Sequence, residues 1–161
     1  MKDRTWRQIC NTVFYIQFLG LYINRKKQIN RSIEIVLLLM ALFSIAGWNR
    51  FAEYHVVWTL ILLAVAGVRI LKPMLMTSEK EIITLESVRD FYIDKSKDYE
   101  NLFYKYRQNK ISPKQADKEF DRLNEEERLM IKIQKHDQIF GSKKMRQKAE
   151  MLSNKVLTKH K

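Results

Sequence analysis

The side chains best suited to acid–base, nucleophilic or metal chemistry are few in this 161-residue chain: three histidines, His55, His136 and His160, and one cysteine, Cys10. Imidazole titrates near neutrality, and imidazole and thiolate are the usual zinc donors, so a site would need several of these groups brought together. Their positions argue against it. His55 ends a short aromatic connection, His136 lies in a charged stretch that reads as helix, and His160 is next to the last residue. A single cysteine cannot complete a cysteine-based zinc set or form an internal disulfide, which fits a reducing compartment. No glycine-rich phosphate loop and no G-x-S-x-G turn occurs. His136 beside Asp137 is an acid–base pair in sequence only, because adjacent residues on a helix point apart. The expectation is a protein that is not an enzyme and binds no cofactor or metal.

More is carried by polar residues inside two apolar runs. Residues 33–48, IEIVLLLMALFSIAGW, and 56–71, VVWTLILLAVAGVRIL, are each sixteen residues long. That is short of the roughly 20 needed to cross a bilayer core, and aromatic and charged flanks lengthen both. Trp48, Phe51, Tyr54 and Trp58 cluster around the connecting WNRFAEYH, and amphipathic rings settle at a membrane interface. Two helices that are apolar all round would leave little of a chain this size to cover them in water. The reading is a transmembrane hairpin over residues 32–72. Glu34 and Arg69 lie near the same end of it. In an antiparallel hairpin residues at equal depth have a constant sum of positions, and Glu34 with Arg69 and Ser44 with Thr59 share one sum. Ionisable groups in spans are costly and face protein, water or each other, so Glu34, Arg69, Ser44 and Thr59 are candidates for a depth-setting pair or for the mouth of an oligomeric pore. Ala41, Ser44 and Gly47 in one span and Ala64 and Gly67 in the other offer small-residue packing faces.

Charge placement orients the hairpin. The net charge is +12. Residues 1–31 set Lys2, Arg4, Arg7, Arg25, Lys26, Lys27 and Arg31 against Asp3 alone, and residues 142–161 carry an equal excess through Lys143, Lys144, Arg146, Lys148 and three further lysines against Glu150; the middle is balanced. Lys and Arg beside membrane ends mark the cytoplasmic side, which puts both termini in the cytoplasm. Anionic lipid headgroups are the expected partner of the basic surface at Arg25, Lys26, Lys27 and Arg31. Nucleic acid is the second partner class for the C-terminal cluster, Lys143, Lys144, Arg146 and Lys148. No secretory cleavage pattern precedes the first apolar run.

The elements around the hairpin are helical throughout. Residues 5–23 set Arg4, Arg7, Gln8, Asn11 and Tyr15 opposite Trp6, Ile9, Val13 and Phe14, the pattern of an interfacial helix within domain 1–31; a third span over residues 9–23 is the rival. Pro73 marks the exit from the membrane. A helix from about 78 to 111 carries Leu85, Val88, Tyr92, Lys95, Tyr99, Leu102 and Tyr106 at steps of three and four, a seam that would face a partner helix and oligomerise the chain. Ser112 before Pro113 starts a further helix to about 140, with Ala116, Phe120, Leu123, Met130 and Ile133 inside, packed antiparallel to complete a cytosolic domain over 73–141. Ser142 caps a basic C-terminal helix, with Met145, Ala149, Leu152 and Val156 on one face. With four glycines, two prolines and no hairpin turn the chain lacks β punctuation. The fold class is an all-α membrane protein.

This order, with NRKKQINRSIEIVLLL leading into the first span, VRILKP closing the second and YENLFYKYRQ on a long helix beyond it, resembles the SLATT family over about residues 5–140. Members are two-transmembrane effectors of antiphage conflict systems tied to nucleotide second messengers. The resemblance implies a bacterial inner-membrane, homo-oligomeric effector, held inactive until a cytosolic sensor signals and then permeabilising the membrane. Two short spans cannot enclose a conduit, so any pore needs several copies. The alternatives are a membrane-tethered scaffold that recruits a cytosolic partner, and a pore-type, HEPN-like accessory protein of RNA-targeting CRISPR systems. HEPN ribonucleases place a His shortly after an Arg; here Arg128 precedes His136 with seven residues between them, outside that spacing, although Lys132 and His136 share a helical face.

Overall fold

The computed structural model describes residues 2–48, 55–134 and 142–158, and every regular element among them is helical. Five helices follow in order: α1 (Lys2–Trp48), α2 (His55–Leu75), α3 (Glu79–Arg107), α4 (Pro113–Gln134) and α5 (Lys143–Leu157). The first differs from the expected pair of an interfacial helix to residue 31 and a span from 32. Residues 21–46 contain neither glycine nor proline, and the Arg, Lys and Gln of 25–28 are good helix formers, so nothing ends the helix there and α1 runs straight through. Pro73 likewise does not close α2, which ends two residues later; a proline in the last turn removes only one bond of the ladder.

Local chemistry fixes the other ends. Ser78 and Glu81 form a capping box at the start of α3: Lys80 N donates to Ser78 Oγ at 3.2 Å and Ser78 N to Glu81 Oε2 at 3.2 Å. Ser112 and Gln115 repeat it for α4, with Gln115 N to Ser112 Oγ at 3.3 Å and Ser112 N to Gln115 Oε1 at 3.1 Å, ahead of Pro113 in the first helical position. Ser142 Oγ accepts from Met145 N at 3.3 Å, the expected cap of α5. α3 stops at Arg107 rather than near 111. Asn109 takes the left-handed conformation (φ 55°) while Asn109 N donates to Tyr106 O and Lys110 N to Lys105 O, a Schellman ending with Asn where glycine is usual.

The chain divides into two compact units, Met1–Tyr22 with Leu85–Lys161, and Ile23–Thr84. In the first, the start of α1 packs on α3, α4 and α5. Ring contacts of Trp6 with Phe103 (5.9 Å between centroids) and Tyr15 with Tyr92 (5.1 Å) run α1 antiparallel to α3. Gln8 Nε2 donates to Asn124 Oδ1 at 3.1 Å, and Arg4 lies 4.7 Å over Phe120 and within 4.0 Å of Asp117 and Asp121, which sets α1 parallel to α4. Ile9, Val13, Tyr99, Leu102, Ala116, Phe120 and Leu123 form the main core. Phe18 buries against Met145 and Ala149, and Leu19 against Val88 and Tyr92. Gly20 leaves room beside Arg89, whose Nε lies 3.6 Å from where a Cβ would sit and has no hydrogen-bond partner among the described residues.

Two expectations are corrected by this core. The apolar face of residues 5–23, expected on a membrane surface or within a span, is buried by protein: Ile9 and Val13 are closed off by the stripes of α3 and α4. Those stripes offer apolar surface within the same chain, so water is excluded there without lipid. The seam of Leu85, Val88, Tyr92, Tyr99, Leu102 and Tyr106, expected to join copies, is spent inside the chain as well. Tyr99 is 0% exposed and Leu102 3%, and Leu85 and Tyr106 pack at the edges of the same clusters. A residue with no accessible surface has nothing left for a second copy.

Candidate functional site: an exposed apolar hairpin and a buried ionic seam

The second unit holds the residues 23–48 of α1 and all of α2. Its two helices run antiparallel, fixed at one end by polar contacts. Asn30 Nδ2 donates to Thr77 O at 2.8 Å and Thr77 N donates to Asn30 Oδ1 at 3.1 Å, so one side-chain amide satisfies both backbone groups of the second residue after α2. One turn further, Lys72 Nζ lies 3.7 Å from Glu34 Oε1. The expected partner of Glu34 was Arg69. The observed register is displaced by about one helical turn, which brings Lys72 level with Glu34 and leaves Arg69 exposed without an ion pair among the described residues. Thr59 is exposed on α2, and its expected counterpart Ser44 lies outside the residues whose side chains are described.

Between that charged base and the connection, apolar side chains face outward. Leu38, Leu42 and Phe43 on α1 and Val56, Leu60, Leu63 and Ile70 on α2 are all more than half exposed, Ile70 at 75%. Ile33, Leu37 and Met40 on one helix, and Ile61, Val65 and Val68 on the other, are half-buried along the inner seam. Soluble proteins seldom leave contiguous apolar surface of this extent uncovered. Among the described residues no helix is long and apolar enough to cross a membrane. Residues 44–48 and 58, which belong to the two apolar runs, lie outside those with described side chains.

Polar chemistry in the first unit concentrates where two charged residues occupy core positions. Lys95 stands in the α3 stripe between Tyr92 and Tyr99, and Glu127 follows Ala116, Phe120 and Leu123 at the same periodicity on α4; they are 5% and 7% exposed. Lys95 pairs with Glu126 and has Asp98 at 3.9 Å. Glu127 instead accepts from Tyr99 Oη at 3.2 Å. Burial raises the Glu127 carboxyl above its ordinary value, the Tyr99 bond and the Lys95 charge opposing without cancelling it. Burial first and the Glu127 charge second hold the Tyr92 and Tyr99 hydroxyls far above theirs. The hydrogen bond from Lys95 keeps Glu126 low, and Arg122 does the same for Glu119, 2.6 Å away.

Sequence reasoning placed Lys95 on the seam but missed Glu127, the Asn30 clamp and Lys72. The signal for Glu127 was present: the spacing 116, 120, 123, 127 puts a carboxylate on the inner line. Asn30 and Lys72 carry no local pattern, because their partners are set by the register of the hairpin. Elsewhere Arg25, Lys27, Arg31, Lys143, Lys144, Arg146 and Lys148 are exposed and Lys26 is half-buried. His136 and His160 lie outside the described residues, and no group of His, Cys, Asp or Glu among the described residues could hold a metal. An open groove of about 770 Å³ lies between α3 and α4, lined in part by Asp98, Lys105, Lys118, Glu119 and Arg122; its charges are mixed, and Arg122 pairs with Glu119. No protein-family model matches the chain, and comparison with curated proteins and with solved structures found no match.

Proposed function

We propose that the chain is an integral protein of the bacterial inner membrane whose hairpin, residues 32–72, lies in the bilayer, and that assembled copies permeabilise that membrane as an effector of antiphage defence. The observation that carries the membrane reading is the outward apolar surface of the second unit, from Leu38 to Phe43 and from Val56 to Ile70. Lipid is the solvent that such a surface suits, since burial there needs no further protein. The Glu34–Lys72 pair and the Asn30–Thr77 clamp sit at the end where basic residues 25–31 gather, which fits the cytoplasmic boundary. Both termini are then cytoplasmic. The effector part rests on the SLATT-like order of elements, and the trigger would come from a cytosolic sensor or second messenger.

Because the α3 seam is consumed within the first unit, assembly in this reading proceeds through the spans, where Ala41, Ala64 and Gly67 allow close approach. The rival reading is a membrane-tethered scaffold, favoured by the open charged groove between α3 and α4 as a surface for a partner. One experiment separates them: the hairpin is exchanged for an unrelated two-span hairpin of equal length, and cell depolarisation and survival are followed on induction. The effector loses its toxicity in the chimera while its membrane level is unchanged. A chimera that depolarises cells as the native chain does would leave the spans as an anchor only. Resistance to alkaline carbonate extraction tests the membrane reading by itself.

A further inference from the structure

The outer face of α5 concentrates exposed cations on one short helix of the first unit. Some cations elsewhere in that unit are paired: Arg4 with Asp117 and Asp121, Lys95 with Glu126, Lys97 with Asp94, Arg122 with Glu119 and Glu126. On α5, Lys143, Lys144, Arg146, Lys148 and Lys155 are exposed and none makes an ion pair among the described residues; Glu150 is the single acid of the helix. Met145, Ala149 and Ser153 hold the opposite face in the core. Lys144, Lys148, Met151 and Lys155 recur at steps of four, three and four and so form one outward stripe. Met151, in the middle of it, is 66% exposed.

We infer that this stripe binds anionic lipid headgroups, with the three lysines at phosphate level and Met151 inserted beneath them, while the inner face of α5 stays docked on α1. Charge complementarity calls for an anionic occupant, and two features select lipid over nucleic acid. An apolar side chain centred among lysines matches an interface whose charge overlies hydrocarbon. The outward stripe also lacks the aromatic residues on which exposed bases stack and the Arg forks that read them. The inference rests on the membrane reading, since a chain held in a bilayer meets headgroups at high effective concentration.

The test uses the full chain carrying Cys10→Ser and Asn154→Cys, with a polarity-sensitive fluorophore on the new cysteine, reconstituted into vesicles of phosphatidylcholine alone or with phosphatidylglycerol. A blue shift is expected only with the acidic lipid, and it diminishes as salt is raised. The triple change Lys144→Glu, Lys148→Glu, Lys155→Glu should raise the acidic-lipid requirement at least about a hundred-fold, about five-fold for each lysine lost, with the added carboxylates repelling the surface further. Met151→Ser should weaken it without altering its salt dependence. Circular dichroism of each variant checks that α5 remains folded. An equal shift in both lipids, or none in either from a chain that floats with the vesicles, overturns the proposal. So does a salt-sensitive shift produced by an RNA oligonucleotide in neutral vesicles. A chain that floats with neither vesicle refutes the membrane reading itself, a result distinct from the others.

Discussion

Glu127 and Glu126 are sequence neighbours that should respond in opposite directions to the same chemical change. Glu127 is 7% exposed, its only hydrogen bond from the described residues comes from Tyr99 Oη, and burial lifts its carboxyl above the ordinary value of 4.5. A native value above the unfolded one means that folding takes up a proton. Stability from this group is therefore fullest below about 4.5 and falls as pH rises through the native value. Glu127→Gln keeps the volume and an oxygen for Tyr99 but removes the ionisable group. It should stabilise the bundle at pH 7 by about 1 kcal/mol, about 2–4 °C in Tm for a chain of this length. Glu126 is held low by its bond from Lys95, so its contribution is present above the ordinary carboxyl value and is lost as pH falls through the lowered one. Glu126→Gln leaves the Lys95 side chain, 6% exposed, with Asp98 at 3.9 Å as its remaining ion pair among the described residues. A loss of about 1–2 kcal/mol is expected, discounted because Glu126 is itself partly solvated. Melting curves of the two variants and the native chain, followed by near-ultraviolet circular dichroism from pH 4 to 8, decide the matter. Shifts of the same sign at pH 7 would refute the assignment of charge within the seam, as would an unaltered pH dependence in Glu127→Gln.

Leu102→Asp places a charge at a core position that is 3% exposed and should destabilise the first unit by about 3–5 kcal/mol, abolishing the near-ultraviolet aromatic signal while flotation with vesicles persists. Asn30→Ala deprives Thr77 of both backbone partners; a cost of about 1–3 kcal/mol should show as faster amide hydrogen exchange at Thr77, with exchange at Tyr99 unchanged. Glu34→Lys alone should lower the amount of chain recovered in membranes, and adding Lys72→Glu should restore it. Restoration by Arg69→Glu instead would return the hairpin to the register expected from sequence.

Helix order and the starts of α3, α4 and α5 were legible in the residues because their causes are local, whereas α1 joins two helices expected apart. Ser78, Ser112 and Ser142 each cap from within a few positions, and the α3 and α4 stripes are periodic in the chain itself. The same holds for the buried placement of Lys95, which is written in its spacing. What a stripe meets is not local. Tyr92, Tyr99 and Leu102 fit a second copy as readily as the start of α1, and only the folded chain, by bringing Ile9, Val13 and Leu19 onto them, assigns the seam to the core. Register was likewise beyond the sequence. Glu34 had two basic residues one turn apart on α2 to choose from, and the Asn30 clamp on Thr77 selects Lys72. The end of α3 depended on Asn109 entering a left-handed conformation for which no glycine gave notice. The outward apolar surface of the hairpin belongs to both levels: its composition is sequence, but its exposure on the described residues follows from the second unit having just two long helices with which to cover it.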